Sequence, residues 1–203
     1  MRWSLRSAGE TVTLAFRKRS LQRVKIVLLC DVSGSMESYS RFLIAFIYVL
    51  QRVYGRIETF VFSTSLHRIT NILKEKDFGK ALAEISDSVP DWSGGTRIGQ
   101  SLQTFLEDYA GTFLNKDTVV LILSDGWDIG EVDVMEKSMM HMHQRANRVL
   151  WLNPLLGSPD YEPTCLGMQA ALPHVDVFLP AHNLESLRNL YSHLASERRR
   201  KGL

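Results

Sequence analysis

The 203-residue chain is poor in cysteine, with only Cys30 and Cys165. No paired framework is visible, which excludes a disulfide-stapled secreted scaffold and suits a reducing compartment. Long apolar runs are also missing. The longest, Phe42 to Leu50, is too short to span a bilayer. The opening "MRWSLRSAGE" lacks the apolar core of a secretory signal. No charge excess exists either: 24 basic against 22 acidic residues leave a formal +2, which gives no general argument for nucleic acid. The two local basic clusters, Arg17-Lys18-Arg19 and Arg198-Arg199-Arg200-Lys201, read first as solvated tails. There is no G-x-x-x-x-G-K-[ST] phosphate loop, so the chain is not expected to hydrolyse ATP itself. A cytoplasmic protein without a membrane span is the resulting expectation.

What is present is ordinary globular composition, 45% hydrophobic and 23% charged, enough for one sizeable core. Residues 1–22 form a basic N-terminal extension in which "TVTLAF" is a candidate short strand. From residue 23 onward strands and helices alternate. "VKIVLLC" (24–30) and "TVVLILS" (118–124) are near-continuous apolar runs, as strands buried on both faces are. "RIETFVFS" (56–63), "RVLWLNP" (148–154) and "HVDVFLP" (174–180) are further strands. "SLHRIT" (65–70) follows too closely for a crossover and reads as an antiparallel edge strand. Helices are expected over 38–53, 77–87, 97–109, 131–146 and 163–172. A closing helix over 183–200 has Asn183 as N-cap. This alternation predicts a doubly wound α/β fold, a mostly parallel central sheet with helices on both faces.

In such a sheet, ligands bind beyond the carboxyl ends of the strands. The first of the two near-continuous apolar strands ends in Asp31-Val32-Ser33-Gly34-Ser35, the second in Ser124-Asp125-Gly126. "SGGT" (93–96) stands just ahead of a helix. Asp31, Ser33, Ser35, Thr96 and Asp125 therefore offer two carboxylates and three hydroxyls at one edge. Such hard oxygen donors suit Mg²⁺, Mn²⁺ or Ca²⁺. The string D-x-S-x-S alone also reads as a capped turn; the three loops together favour a metal.

These strings resemble the metal-ion-dependent adhesion site of von Willebrand factor A domains. "VPDWSGGTRIG" (89–99), "LILSDGWDIGE" (121–131), "RVLWLNPLLGSPDYEP" (148–163) and "ALPHVDVFLPAHNLESL" (171–187) resemble its CoxE-like branch. "RWSLRSAGETVTLAFRKR" is similar to the segment just ahead of the domain there, so the domain itself is expected over 23–203. Members of that branch are usually longer, which leaves a short member and a C-terminal portion both open. The resemblance implies Ser33, Ser35 and Thr96 as direct ligands, with the aspartates often acting through water. It also implies work beside a MoxR-type AAA+ ATPase in enzyme maturation, such as metal-centre insertion in carbon monoxide dehydrogenase.

The reading favoured is a divalent-cation-dependent protein-binding module in which a partner's Asp or Glu completes the ion's shell. The alternatives are a metal-assisted hydrolase or phosphatase, which lacks a visible base, and a structural subunit whose ion only stiffens loops. Trp92 and Trp127 flank the edge and read either as packing lids or as partner-facing anchors. Asp128, Glu131 and Asp133 read as a solvated helix start, with a second cation as the minor alternative. His141 and His143 do not share a helix face, which argues against zinc. Met135, Met139, Met140 and Met142 read as packing residues.

Overall fold

The computed structural model describes residues 2–7, 10–15, 25–74, 78–88, 95–183, 185–186, 188–190 and 192–194. Trp92 and both basic clusters lie outside them, as does most of the loop before Gly95.

The N-terminal segment is an antiparallel pair, β1 (Arg2–Ser7) with β2 (Glu10–Ala15), in register from Arg2↔Ala15 to Ser7↔Glu10. Only the second strand is expected above. The first also carries a signal, since Trp3 and Leu5 alternate with polar residues.

The rest is built on β3 (Lys25–Asp31), β4 (Ile57–Phe62), β5 (Leu66–Arg68), β6 (Thr118–Leu123), β7 (Arg148–Asn153) and β8 (Val177–Pro180). Among the described residues these form one sheet in the order β5-β4-β3-β6-β7-β8. All pairs are parallel except β4 with β5, the antiparallel edge expected from the short connection. Every residue of β6, and all of β3 after Lys25, is buried. A central parallel strand must hide both of its faces, and an unbroken Val/Ile/Leu run lets it do so.

Alternate strand residues feed two cores. Ile26, Leu28, Cys30, Leu121 and Leu123 pack with α1 (Glu37–Val53), α2 (Phe78–Ser88) and the helical residues Leu190 and Leu194. Val27, Leu29, Val120, Ile122 and Trp151 pack against α3 (Ile98–Thr104), α5 (Val132–Arg145) and α6 (Leu166–Ala171) on the other face. Between α3 and β6 lie a π-helical turn (Phe105–Tyr109) and a last turn, α4 (Ala110–Phe113). Met135, Met139 and Met142 are fully buried and fill core space, while Met140 is half-buried. Asn183 caps the closing helix, its Oδ1 accepting the Ser186 N–H at 2.9 Å. The helix expected from Pro163 starts later, at Leu166.

The chain leaves β3 for β4 on one side and returns to β6 on the other. The carboxyl ends of β3 and β6 therefore flank the point where strand order reverses. This is where an open α/β sheet leaves a crevice for ligands.

Candidate functional site

Asp31 is the last residue of β3 and fully buried, whereas the sequence suggested a loop position beyond the strand. Its Oδ1 accepts the Ser33 N–H at 2.9 Å, and its Oδ2 accepts the Ser124 hydroxyl at 2.7 Å. Burial pushes its carboxyl up to about 7 against the pull of these hydrogen bonds, and the nearby Asp125 charge adds to the rise. A 3₁₀ turn (Gly34–Met36) follows, closed by the Met36 N–H on the Ser33 carbonyl at 2.9 Å. It brings the Ser33 and Ser35 hydroxyls within 3.1 Å of each other, Ser33 buried and Ser35 exposed.

Asp125 is buried one residue beyond Ser124. Its Oδ1 accepts the Trp127 N–H at 3.0 Å. The Gly126 N–H returns to the Ser124 hydroxyl at 3.0 Å. Gly126 has φ +85°, a conformation that disfavours any side chain, and a Cβ there would also press on Met168. The main chain of this loop is gripped from behind. The Trp151 indole N–H donates to the Ser124 carbonyl at 2.9 Å, and the Asn153 amide to the Asp125 carbonyl at 3.1 Å. Asn153, itself fully buried, is in turn held by Tyr161 (2.8 Å) and by the Leu155 N–H (2.8 Å).

Thr96 reaches the same edge from the loop before α3. The Arg97 N–H donates to the Ser63 carbonyl past the end of β4 at 2.8 Å, and the Ile129 N–H to the Thr96 carbonyl at 3.0 Å. The Thr96 side chain is buried, and its hydroxyl makes no hydrogen bond among the described residues. Gly95 has no Cβ to meet the Ile129 side chain, which would lie 2.7 Å away.

Asp31, Ser33, Ser35, Thr96 and Asp125 thus all stand on the edge where β3 and β6 end. Among the described residues no three His, Cys, Asp or Glu side chains gather as a metal site. The donors here are two carboxylates plus three hydroxyls. Neither buried carboxylate has an ion-pair partner among the described residues. An all-oxygen set with two uncompensated carboxylates and an unused hydroxyl fits a hard divalent cation.

Trp127 is 60% exposed, with Ile129 (68%) and Leu166 (63%) also open to solvent. Trp127 is thus mostly open to solvent rather than packed away. Asp128 corrects another expectation. It is not a solvated start of α5 but a half-buried cap of α3, whose carboxylate accepts the N–H groups of Ile98 (3.0 Å), Gly99 (3.3 Å) and Gly130 (3.0 Å). Ser124, Asp128, Asn153 and Tyr161 are the supporting residues that sequence reasoning missed. For Ser124 the signal was its place before Asp125; for the others the partners lie far along the chain. His141 and His143 are exposed and apart in role, the latter 3.2 Å from Asp176.

No curated protein matches the chain. Solved structures share its fold. Proximal thread matrix protein 1 from the mussel byssus is 18% identical with a TM-score of 0.57, over 86% of this chain and 47% of that one. This chain spans about half the length of the mussel protein. Another structure of that protein, 17% identical with a TM-score of 0.55 over the same shares, has a zinc-occupied MIDAS motif. BatB from Bacteroides thetaiotaomicron is 17% identical with a TM-score of 0.52, over 87% of this chain and 99% of that one. The family described as "VWA domain containing CoxE-like protein" matches residues 1–187, nearly the whole chain. The protein therefore belongs to the CoxE-like family of VWA-domain proteins.

Proposed function

We propose that the protein is a divalent-cation-dependent protein-binding module. Asp31, Ser33, Ser35, Thr96 and Asp125 would hold the ion, Mg²⁺ in the first instance, with Mn²⁺ or Ca²⁺ as substitutes. The observation that carries this reading is the pair of buried carboxylates at the strand-order reversal, without an ion-pair partner among the described residues and flanked by three hydroxyls. Three hydroxyls add no charge, so a bound cation supplies an electrophilic point that attracts a carboxylate from outside. The zinc-occupied motif in the mussel protein supports the same assignment by analogy of fold.

The partner proposed is a MoxR-type AAA+ ATPase acting in the cytoplasm in maturation or metal-centre assembly of an enzyme. The CoxE-like family membership motivates this partner, and VWA domains commonly mediate protein interactions. No helix among the described residues is long and apolar enough to cross a membrane. The exposed Trp127 supplies apolar contact beside the ion. A charge-assisted contact is worth only about 1.5–3 kcal/mol, so neighbouring residues must carry much of the affinity. The hydrolase reading gains nothing here, since no histidine hydrogen-bonds to the five candidate ligands among the described residues. The test is titration of the purified ATPase against this chain in Mg²⁺ and in EDTA. Binding lost in EDTA and in Thr96→Ala, with the fold retained, supports the proposal; equal binding in both buffers refutes the metal bridge.

A further inference from the structure

The five candidate ligands come from three stretches of chain, and four of the five are linked closely to one another. Ser33 and Ser35 follow Asp31 directly, and Ser124 joins Asp31 to Asp125 through its hydroxyl (2.7 Å). Thr96 is different. It lies 29 residues before Asp125, on a loop with no side-chain bond of its own to the other ligands among the described residues. Something else must fix its distance from them.

The Arg97 N–H on the Ser63 carbonyl (2.8 Å) ties Thr96 to β4, and the loop after β6 ties it toward Asp125. Asp128 spreads its carboxylate over two segments at once. Its Oδ1 accepts from Ile98 N–H and Gly130 N–H, both at 3.0 Å, and its Oδ2 from Gly99 N–H at 3.3 Å. The Ile129 N–H adds a bond to the Thr96 carbonyl at 3.0 Å. The first turn of α3 and the chain just past Asp125 are thereby tied together within two residues of Thr96 and three of Asp125. The side chain of Ile129 lies over Gly95, on the other side of Thr96. The seat is also closed from below. A Cβ on Gly167 would stand 2.3 Å from the Gly126 carbonyl and 3.1 Å from the Asp128 Cβ, so α6 leaves that loop little room to retreat.

We infer that Asp128 is a positioning residue for the cation site: it touches no ion but sets ion affinity by holding Thr96 in register with Asp31 and Asp125. The inference rests on the proposed cation site. It differs from ordinary helix capping in one respect. A cap acts on stability alone, whereas a residue that positions Thr96 loses its effect on ion binding once the Thr96 hydroxyl is gone.

A double-mutant cycle on the full chain separates these roles. Mn²⁺ or Mg²⁺ is titrated calorimetrically into EDTA-stripped wild type, Asp128→Ala, Thr96→Ala and the double variant, each checked for folding by circular dichroism. Asp128→Ala is expected to weaken ion binding about 10–100-fold, the range for groups that orient a ligand without touching the metal. The double variant is expected to bind no more weakly than Thr96→Ala. Asp128→Asn, which keeps an acceptor for the Ile98 and Gly130 N–H groups, should recover most of the loss and serves as the second variant if the alanine does not fold. Wild-type affinity in a folded Asp128→Ala, or losses that add in the double variant, would overturn the inference while leaving the cation site standing. Absence of ion binding by wild type would instead overturn the site, and the inference with it.

Discussion

After β3, Asp31 turns its Oδ1 onto the Ser33 N–H (2.9 Å); after β6, Asp125 turns its Oδ1 onto the Trp127 N–H (3.0 Å). Both are Asx turns at the ends of buried parallel strands. From there the loops diverge. The β3 loop closes at once into a 3₁₀ turn and enters α1. The second carboxylate oxygen of Asp31 is already taken by Ser124, while that of Asp125 accepts no hydrogen bond among the described residues. The β6 loop runs out through a left-handed glycine, exposes Trp127 and Ile129, and is fastened by bonds from α3, β7 and Tyr161. The same local turn thus serves two ends. One loop turns back at once into a helix, with only Gly34 and Ser35 exposed; the other runs out to an exposed tip and is held by several distant parts of the chain.

The largest effect expected from this difference is at the glycines. Gly126→Ala places a Cβ at φ +85° and against Met168. Left-handed backbone costs a non-glycine residue roughly 1–2 kcal/mol, and overpacking adds about 1–3 kcal/mol. Gly34, in the 3₁₀ turn, is exposed and has no such φ. Gly34→Ala should therefore stay within about 1 kcal/mol of wild type. Urea melts of both variants in EDTA measure the contrast, and equal losses would remove it.

A second difference concerns pH. In EDTA the Asp31 carboxyl sits at about 7, above its unfolded value of about 3.9. The folded state then holds the extra proton between these values. Stability from this group is full below about pH 4, falls as pH rises toward 7 and is level above. Asp31→Asn should flatten that slope in denaturant midpoints taken between pH 4.5 and 7.5. A slope unchanged in the variant would show that Asp31 is not its source.

Much of this could be read from the chain alone. The runs 24–30 and 118–124 are apolar apart from Lys25 and the end residues Thr118 and Ser124, so central strands followed, and the edge strand β5 followed from a connection too short to cross over. Asp31, Ser33 and Ser35 were legible because their spacing is local. Asp128 was not, because its partners Ile98 and Gly99 lie 30 and 29 residues away and the same aspartate before a helix reads equally well as dipole charge. Asn153 was hidden for a like reason: only parallel pairing of β6 with β7 sets it behind the Asp125 carbonyl.

A smaller effect should follow at the exposed tip. Trp127→Ala removes a side chain 60% open to solvent. Stability should move by no more than about 0.5 kcal/mol, and ion affinity should be unchanged. Partner binding in Mg²⁺ should weaken, by the 1 kcal/mol or more, roughly, that marks an interface anchor. Calorimetry with ion and with partner reads the two effects separately. Unchanged partner affinity would make the tip's exposure incidental.

One cation is proposed to sit between three loops, those after β3, before α3 and after β6. Titration of Mg²⁺ into the EDTA-stripped chain at neutral pH, followed by calorimetry, tests that directly. A single site is predicted in wild type, lost in Asp31→Ala and weakened but still measurable in Thr96→Ala, while circular dichroism stays native. A folded wild-type chain that takes up no Mg²⁺ or Mn²⁺ at millimolar concentration would contradict it.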